Sequence, residues 1–162
     1  MTELALAAAP QARVAVRVHP VDHPAFGTDV ATIAGRAGHR LVHLMVPKVE
    51  SVADVQLAAR TLDAAGATGL PLHVLIESPA AVHRAFDIAE HPRVQSISFG
   101  LMDFVSAHGG AIPADGMSAA GQFTHPLVVR AKLEIASACH AHGKVPSHCV
   151  VTEFKNLDAL QQ

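Results

Sequence analysis

Five apolar runs of strand length, separated by stretches with helical spacing, set the frame within which this chain can fold. The runs occupy residues 13–18, 41–46, 72–76, 94–99 and, less sharply, 144–151. Between them the spacing predicts helices over residues 28–37, 51–65, 79–90 and 126–142. Ser51 and Asp54 read as a capping box, Ser78 with Pro79 as a helix start, and Gly143 as a helix stop. Thr152 reads as the cap of one more helix. Runs that are apolar on both faces suit parallel strands covered by helices. The order β-α-β-α-β-α-β-α-β-α therefore predicts an α/β fold, and both a doubly wound sheet and a (β/α)₈ barrel fit it.

In either architecture chemistry collects where the strands end. The residues there are Arg17, His19 and Pro20, then Pro47 and Lys48, then Glu77, then Gly100 to Asp103, then His148. Loops are solvated and polar as a rule, so one acid in such a place means little. Two acids and two cations spread over consecutive strand ends read as the rim of an active site.

Glu77 and Asp103 supply hard anionic oxygens. Mg²⁺ is commonly held by one or two carboxylates, with water and substrate oxygens completing the shell, so this pair suffices for it. Helix caps or loop acids are the plain alternative. Arg17 ends an apolar run, where a guanidinium is costly unless it meets an anion. A substrate carboxylate or a developing enolate would serve, and so would a salt bridge at a barrel rim. Lys48 either adds positive potential or pairs with Glu50.

The remaining residues exclude several chemistries. Twelve histidines invite a zinc reading, but no helical H-x-x-x-H comes with a third ligand, and His140 and His142 diverge on a helix. His148 and Cys149 are adjacent, which in a strand sends them to opposite faces. A Cys149–His148 nucleophile pair is disfavoured for that reason, and His148 remains the best candidate for a functional histidine. The run "HGGAIPADG" (residues 108–116) is a turn-rich loop and no dinucleotide fingerprint.

A net charge of −2, with neither Trp nor Tyr, argues against nucleic acid. No window reaches the ~18 apolar residues of a membrane span. The opening "MTELALAAAPQAR" lacks the parts of a signal peptide, and Cys139 and Cys149 form no C-x-x-C, so a cytoplasmic protein is expected. No repeat or linker divides the chain, so residues 1–162 read as a single domain.

The strand-end motifs "VRVHP", "LMVPKVES", "VLIESPAAV" and "SISFGLMDF" occur in the order found in the HpcH/HpaI aldolase/citrate lyase beta-subunit family, which this chain resembles over most of its length. The resemblance implies a (β/α)₈ TIM barrel of which strands three to seven are present, hence a partial barrel. It implies Mg²⁺, with Arg17 and Glu77 catalytic and substrate-binding, Lys48 assisting substrate binding, and Glu77 and Asp103 as metal ligands. The implied reaction is cleavage or formation of a carbon–carbon bond in a CoA thioester of a hydroxy acid, of the citryl-CoA or malyl-CoA type, with acetyl-CoA and a keto acid as the other partners. A thioesterase on the same scaffold, an interaction module without catalysis, and, more weakly, a pyruvate aldolase acting without CoA are the alternatives.

Two departures from the family stand out. His19 replaces its usual asparagine. The first two strands with an Asp-Leu-Glu-Asp motif, and an eighth strand with an Ile-His-Pro motif, have no counterpart here. A barrel takes about 250 residues, so a five-strand arc with two bare edges is expected to be weakly stable or homo-oligomeric, and poorly active alone.

Overall fold

The computed structural model describes residues 1–151, 153 and 155–158. The elements are α1 (Thr2–Ala7), β1 (Val14–Arg17), α2 (Phe26–Ala37), β2 (Leu41–Val46), α3 (Val52–Ala64), β3 (Leu72–Ile76), α4 (Pro79–His83), α5 (Ala85–Glu90), β4 (Val94–Phe99), α6 (Leu101–Ala107), α7 (Gly121–Thr124), α8 (Pro126–Ala141) and β5 (Val145–Ser147). Short 3₁₀ turns occupy Gly38–Arg40 and Ala114–Met117. The helix expected from Thr152 lies outside the described residues.

All neighbouring strands pair in parallel, in the order β1-β2-β3-β4-β5. A doubly wound sheet reverses its strand order at a switch point; this sheet never does. Right-handed crossovers that always step the same way lay every helix on one face. The result is an arc of a barrel, as the resemblance implied, and the doubly wound alternative is set aside.

The core lies between the sheet and its helical layer. Leu44, Val46, Leu72, Val74, Ile76 and Ile97 are fully buried from the strands, against Val30, Val55, Leu62, Ile88, Val128 and Ala138 from the helices. Burying one branched side chain of this kind contributes about 1.5–3 kcal/mol. On the other face, Arg17 and Ala15 are exposed and Met45 and Ser98 half-buried, because nothing packs across from them among the described residues. One polar knot closes part of that face. The ring of His73 lies between Ser96 Oγ (Nδ1, 2.7 Å) and Ser98 Oγ (Nε2, 2.8 Å), with His43 stacked on it at 5.1 Å.

Several local expectations need correction. The helix over residues 79–90 is two helices, divided at Arg84, whose N–H is shared between the carbonyls of Ala80 and Ala81. The last strand is three residues long, not eight. Lys144 instead donates its N–H to Cys139 O at 2.7 Å to finish α8, and the chain leaves the sheet after Ser147. The alanine-rich start forms α1, docked on α2 by Thr2 Oγ1 to Thr32 O (3.1 Å) and an Arg36–Glu3 ion pair (2.9 Å).

Candidate active site

Glu77 is the first residue past β3, and the two flanking loops hold it from either side. Val49 N–H donates to Leu75 O at 3.2 Å, which ties the loop after β2 to the end of β3. Gly100 N–H donates to Ile76 O at 2.8 Å, which ties the loop after β4 to the same place. Between them Glu77 is 9% exposed, and its Oε2 accepts the main-chain N–H of Lys48 at 2.8 Å. Lys48 adopts a left-handed backbone, φ 53°, a conformation that costs a non-glycine residue on the order of 1–2 kcal/mol. That turn aims its N–H at Glu77.

Gly100 makes room on the other side. A methyl group there would stand 2.3 Å from Glu77 Cγ and 2.5 Å from its Oε1. The carboxylate therefore lies against bare backbone, and position 100 tolerates no side chain while Glu77 keeps its place.

Burial raises the Glu77 carboxyl above its ordinary pKa, and the Asp103 carboxylate pushes the same way. The Lys48 N–H and the Lys48 and Arg17 cations oppose them. Asp103 projects from the first turn of α6, with Lys48 Nζ 3.9 Å from its Oδ2. Both of these side chains are about half exposed, so the attraction is weak. Asp103, expected at a strand end, stands one short step further on, in a helix.

Arg17, Lys48, Glu77 and Asp103 line one cavity of about 410 Å³, together with His19 and Asp29. An adjoining cavity of about 340 Å³ shares Arg17, Glu77 and Asp103 and continues to His148 and Cys149. The fold thus gathers each of the four residues singled out for the site. Two carboxylates of like charge, one buried against a glycine cradle, form a donor set suited to a hard divalent cation. No group of three or more His, Cys, Asp or Glu residues able to hold a metal occurs among the described residues. Water and substrate oxygens would have to complete the shell.

The adjacent His148 and Cys149 both line the second of these cavities, because they follow β5 and the alternation of a strand no longer applies. His148 Nδ1 donates to Cys149 O at 2.8 Å. Cys149 is buried, its thiol donates to Gln122 Oε1 at 3.0 Å, and burial pushes its pKa up. A protonated, occupied thiol is no nucleophile. Asp29 was not singled out from the sequence, and Gly100 was placed at the strand end without a role. The "FG" before "LMDF" was the available sign of Gly100, since a glycine between a strand and an acid marks close backbone approach.

The model of the HpcH/HpaI aldolase/citrate lyase family matches residues 1–162. An L-malyl-CoA/beta-methylmalyl-CoA lyase of Cereibacter sphaeroides is 33% identical over 148 residues, 82% of this chain and 46% of the relative. A citrate lyase subunit beta-like protein of Deinococcus radiodurans is 30% identical over 158 residues, 96% of this chain and 50% of the relative. The chain thus spans about half the length of these curated relatives. Among solved structures, a citrate lyase of Burkholderia xenovorans shares 45% identity at a TM-score of 0.86, covering 91% of this chain and 47% of that one. The citrate lyase beta subunit of Mycobacterium tuberculosis, complexed with oxaloacetate and magnesium, shares the fold at 23% identity and a TM-score of 0.70, covering 91% and 59%. No helix among the described residues is long and apolar enough to cross a membrane. The motifs at the strand ends, the unreversed parallel arc and the matched length agree: the chain belongs to the HpcH/HpaI aldolase/citrate lyase family.

Proposed function

We propose that residues 1–162 form a single, incomplete barrel domain carrying the metal and carboxylate-binding side of a Mg²⁺-dependent carbon–carbon lyase. Its substrate is the CoA thioester of a hydroxy acid, of the citryl-CoA or malyl-CoA type, released as acetyl-CoA and a keto acid. The observation that carries this is the convergence of Glu77, Asp103, Arg17 and Lys48 on one cavity at successive strand ends. Named lyases among the relatives support the reaction class.

Glu77 and Asp103 would hold the ion. Bound there, it would polarise the oxygen on the carbon that becomes the keto group. Arg17 offers a planar pair of N–H donors to a substrate carboxylate and positive charge to an enolate. Lys48 fixes Glu77 through its N–H and brings a second cation to the cavity. Gly100 keeps the carboxylate seated. The CoA-thioester substrate carries a cytoplasmic location with it. The outer edges of β1 and β5, unpartnered among the described residues, favour a homo-oligomer.

Incubation with malyl-CoA and Mg²⁺, and separately with citryl-CoA, tests the reading. The expected products are acetyl-CoA and the keto acid, lost on chelation of the metal and in Glu77→Gln. Free CoA and hydroxy acid instead would establish a thioesterase. The interaction-module reading is decided by the same assays. Absence of turnover, with no calorimetric signal for Mg²⁺ on the wild-type chain, would establish that reading.

A further inference from the structure

His19 leaves β1 two residues after Arg17 and lines the same cavity. Its main-chain N–H donates to Asp29 Oδ2 at 3.0 Å, and its ring Nδ1 lies 2.6 Å from that same oxygen. An ionised carboxylate has no proton to offer, so this contact puts the ring hydrogen on Nδ1. Asp29 is well suited to stay ionised. The His19 N–H holds its carboxyl below the ordinary range against the opposing effect of burial, and its place in the first turn of α2 favours an anion.

With Nδ1 committed, Nε2 is the ring nitrogen that can exchange a proton with a molecule in the cavity. The His23 ring stacks on His19 at 4.1 Å and 11°, and Ala25 N–H donates to His23 Nδ1 at 3.1 Å to hold that ring in place. The His19 side chain is about 50% exposed, so the fixed ring remains reachable. A mere clasp between β1 and α2 would need only the main-chain N–H, which any non-proline residue provides. A carboxylate-oriented imidazole on a cavity that also holds Arg17 and Glu77 is equipped for more.

The geometry points to His19, oriented by Asp29, as the proton-exchanging group of this cavity, its Nε2 taking the hydroxyl proton of the bound thioester as the carbon–carbon bond breaks. The inference rests on the lyase reading above. The hydroxyl O–H breaks as N–H forms, and the oxygen electron pair becomes the carbonyl of the keto acid. The pair of the broken carbon–carbon bond passes to the thioester as its enolate. The imidazolium then returns its proton to the enolate carbon, which gives acetyl-CoA and a neutral ring.

The full chain provides the test. Nitrogen-15 spectra of the ring should show the Nδ1–H tautomer in wild type and lose that preference in Asp29→Asn; an Nε2–H tautomer in wild type overturns the assignment. His19→Asn keeps the main-chain donor but has no titratable nitrogen. With malyl-CoA and Mg²⁺ its kcat should fall by about 10²–10³-fold with little change in KM or melting temperature. A kcat near that of wild type overturns the role of His19 and leaves the lyase reading standing. Should the wild-type chain show no turnover, titration with L-malate and Mg²⁺ decides. A shift of the His19 Nε2 signal then leaves the oriented ring as a ligand contact only, no shift removes that contact too, and in both cases the proton-transfer role falls with the lyase reading.

Discussion

The main-chain N–H of Lys48 donates to Glu77 Oε2 at 2.8 Å, while the same residue extends its ammonium to within 3.9 Å of Asp103. One residue thus addresses both carboxylates of the cavity, through different atoms. Its left-handed backbone is what lets it do so.

Gly100→Ala brings a methyl group against Glu77 at 2.3 Å, so the carboxylate must move. The backbone at position 100 has φ −90°, which alanine accepts. The variant should fold, lose ~1–3 kcal/mol from overpacking, and bind Mg²⁺ at least tenfold more weakly by calorimetry. A double variant with Glu77→Gln should be no worse than Glu77→Gln alone.

His73 is buried, and burial lowers its pKa from the ordinary 6.5 to about 4, with His43 acting in the same direction. The unfolded chain takes up this proton below the ordinary value while the folded one does not. Stability is therefore full above pH 6.5 and falls as the pH drops toward 4, by at most about 3 kcal/mol. Urea melts across this window should show the slope, and His73→Gln should flatten it.

Both cysteines should resist alkylation in the native state. Burial pushes the Cys139 thiol up to about 11 and raises Cys149 as well, so little thiolate exists at neutral pH. Iodoacetamide labelling followed by mass spectrometry should find both modified only after unfolding.

The sheet ends at β1 and β5 in strands with no outer partner among the described residues, and Val145 is 60% exposed. Light scattering over a dilution series should show a mass above the monomer that falls with dilution. A lysine at position 145 should shift that equilibrium toward the monomer.

The three inner strands were legible to the residue, because each lies between two neighbours and buries the side chains that face the helices, which leaves β-rich runs with abrupt ends. The outer strands were not: β5 has a partner on one side only, and its exposed Val145 and Ser147 carry no periodic signal. The break at Arg84 was hidden because "PAAVHRAFDIAE" suits a helix throughout; the guanidinium there reaches Glu50 O at 3.1 Å, a contact that local spacing does not encode. Arg17, Lys48, Glu77 and Asp103 could be found from their positions after apolar runs. Asp29 could not, since its partner His19 lies ten residues away and only the docking of α2 on β1 brings them together.

The unreversed strand order also bears on how this chain folds. Each strand's neighbour in the sheet is the next strand along the backbone, so every pairing closes one helical crossover and none skips over a strand. Structure can then spread from the buried centre, β3 and β4, outward one β-α unit at a time. The last units to join would be the first to fray, and hydrogen exchange should be fastest there.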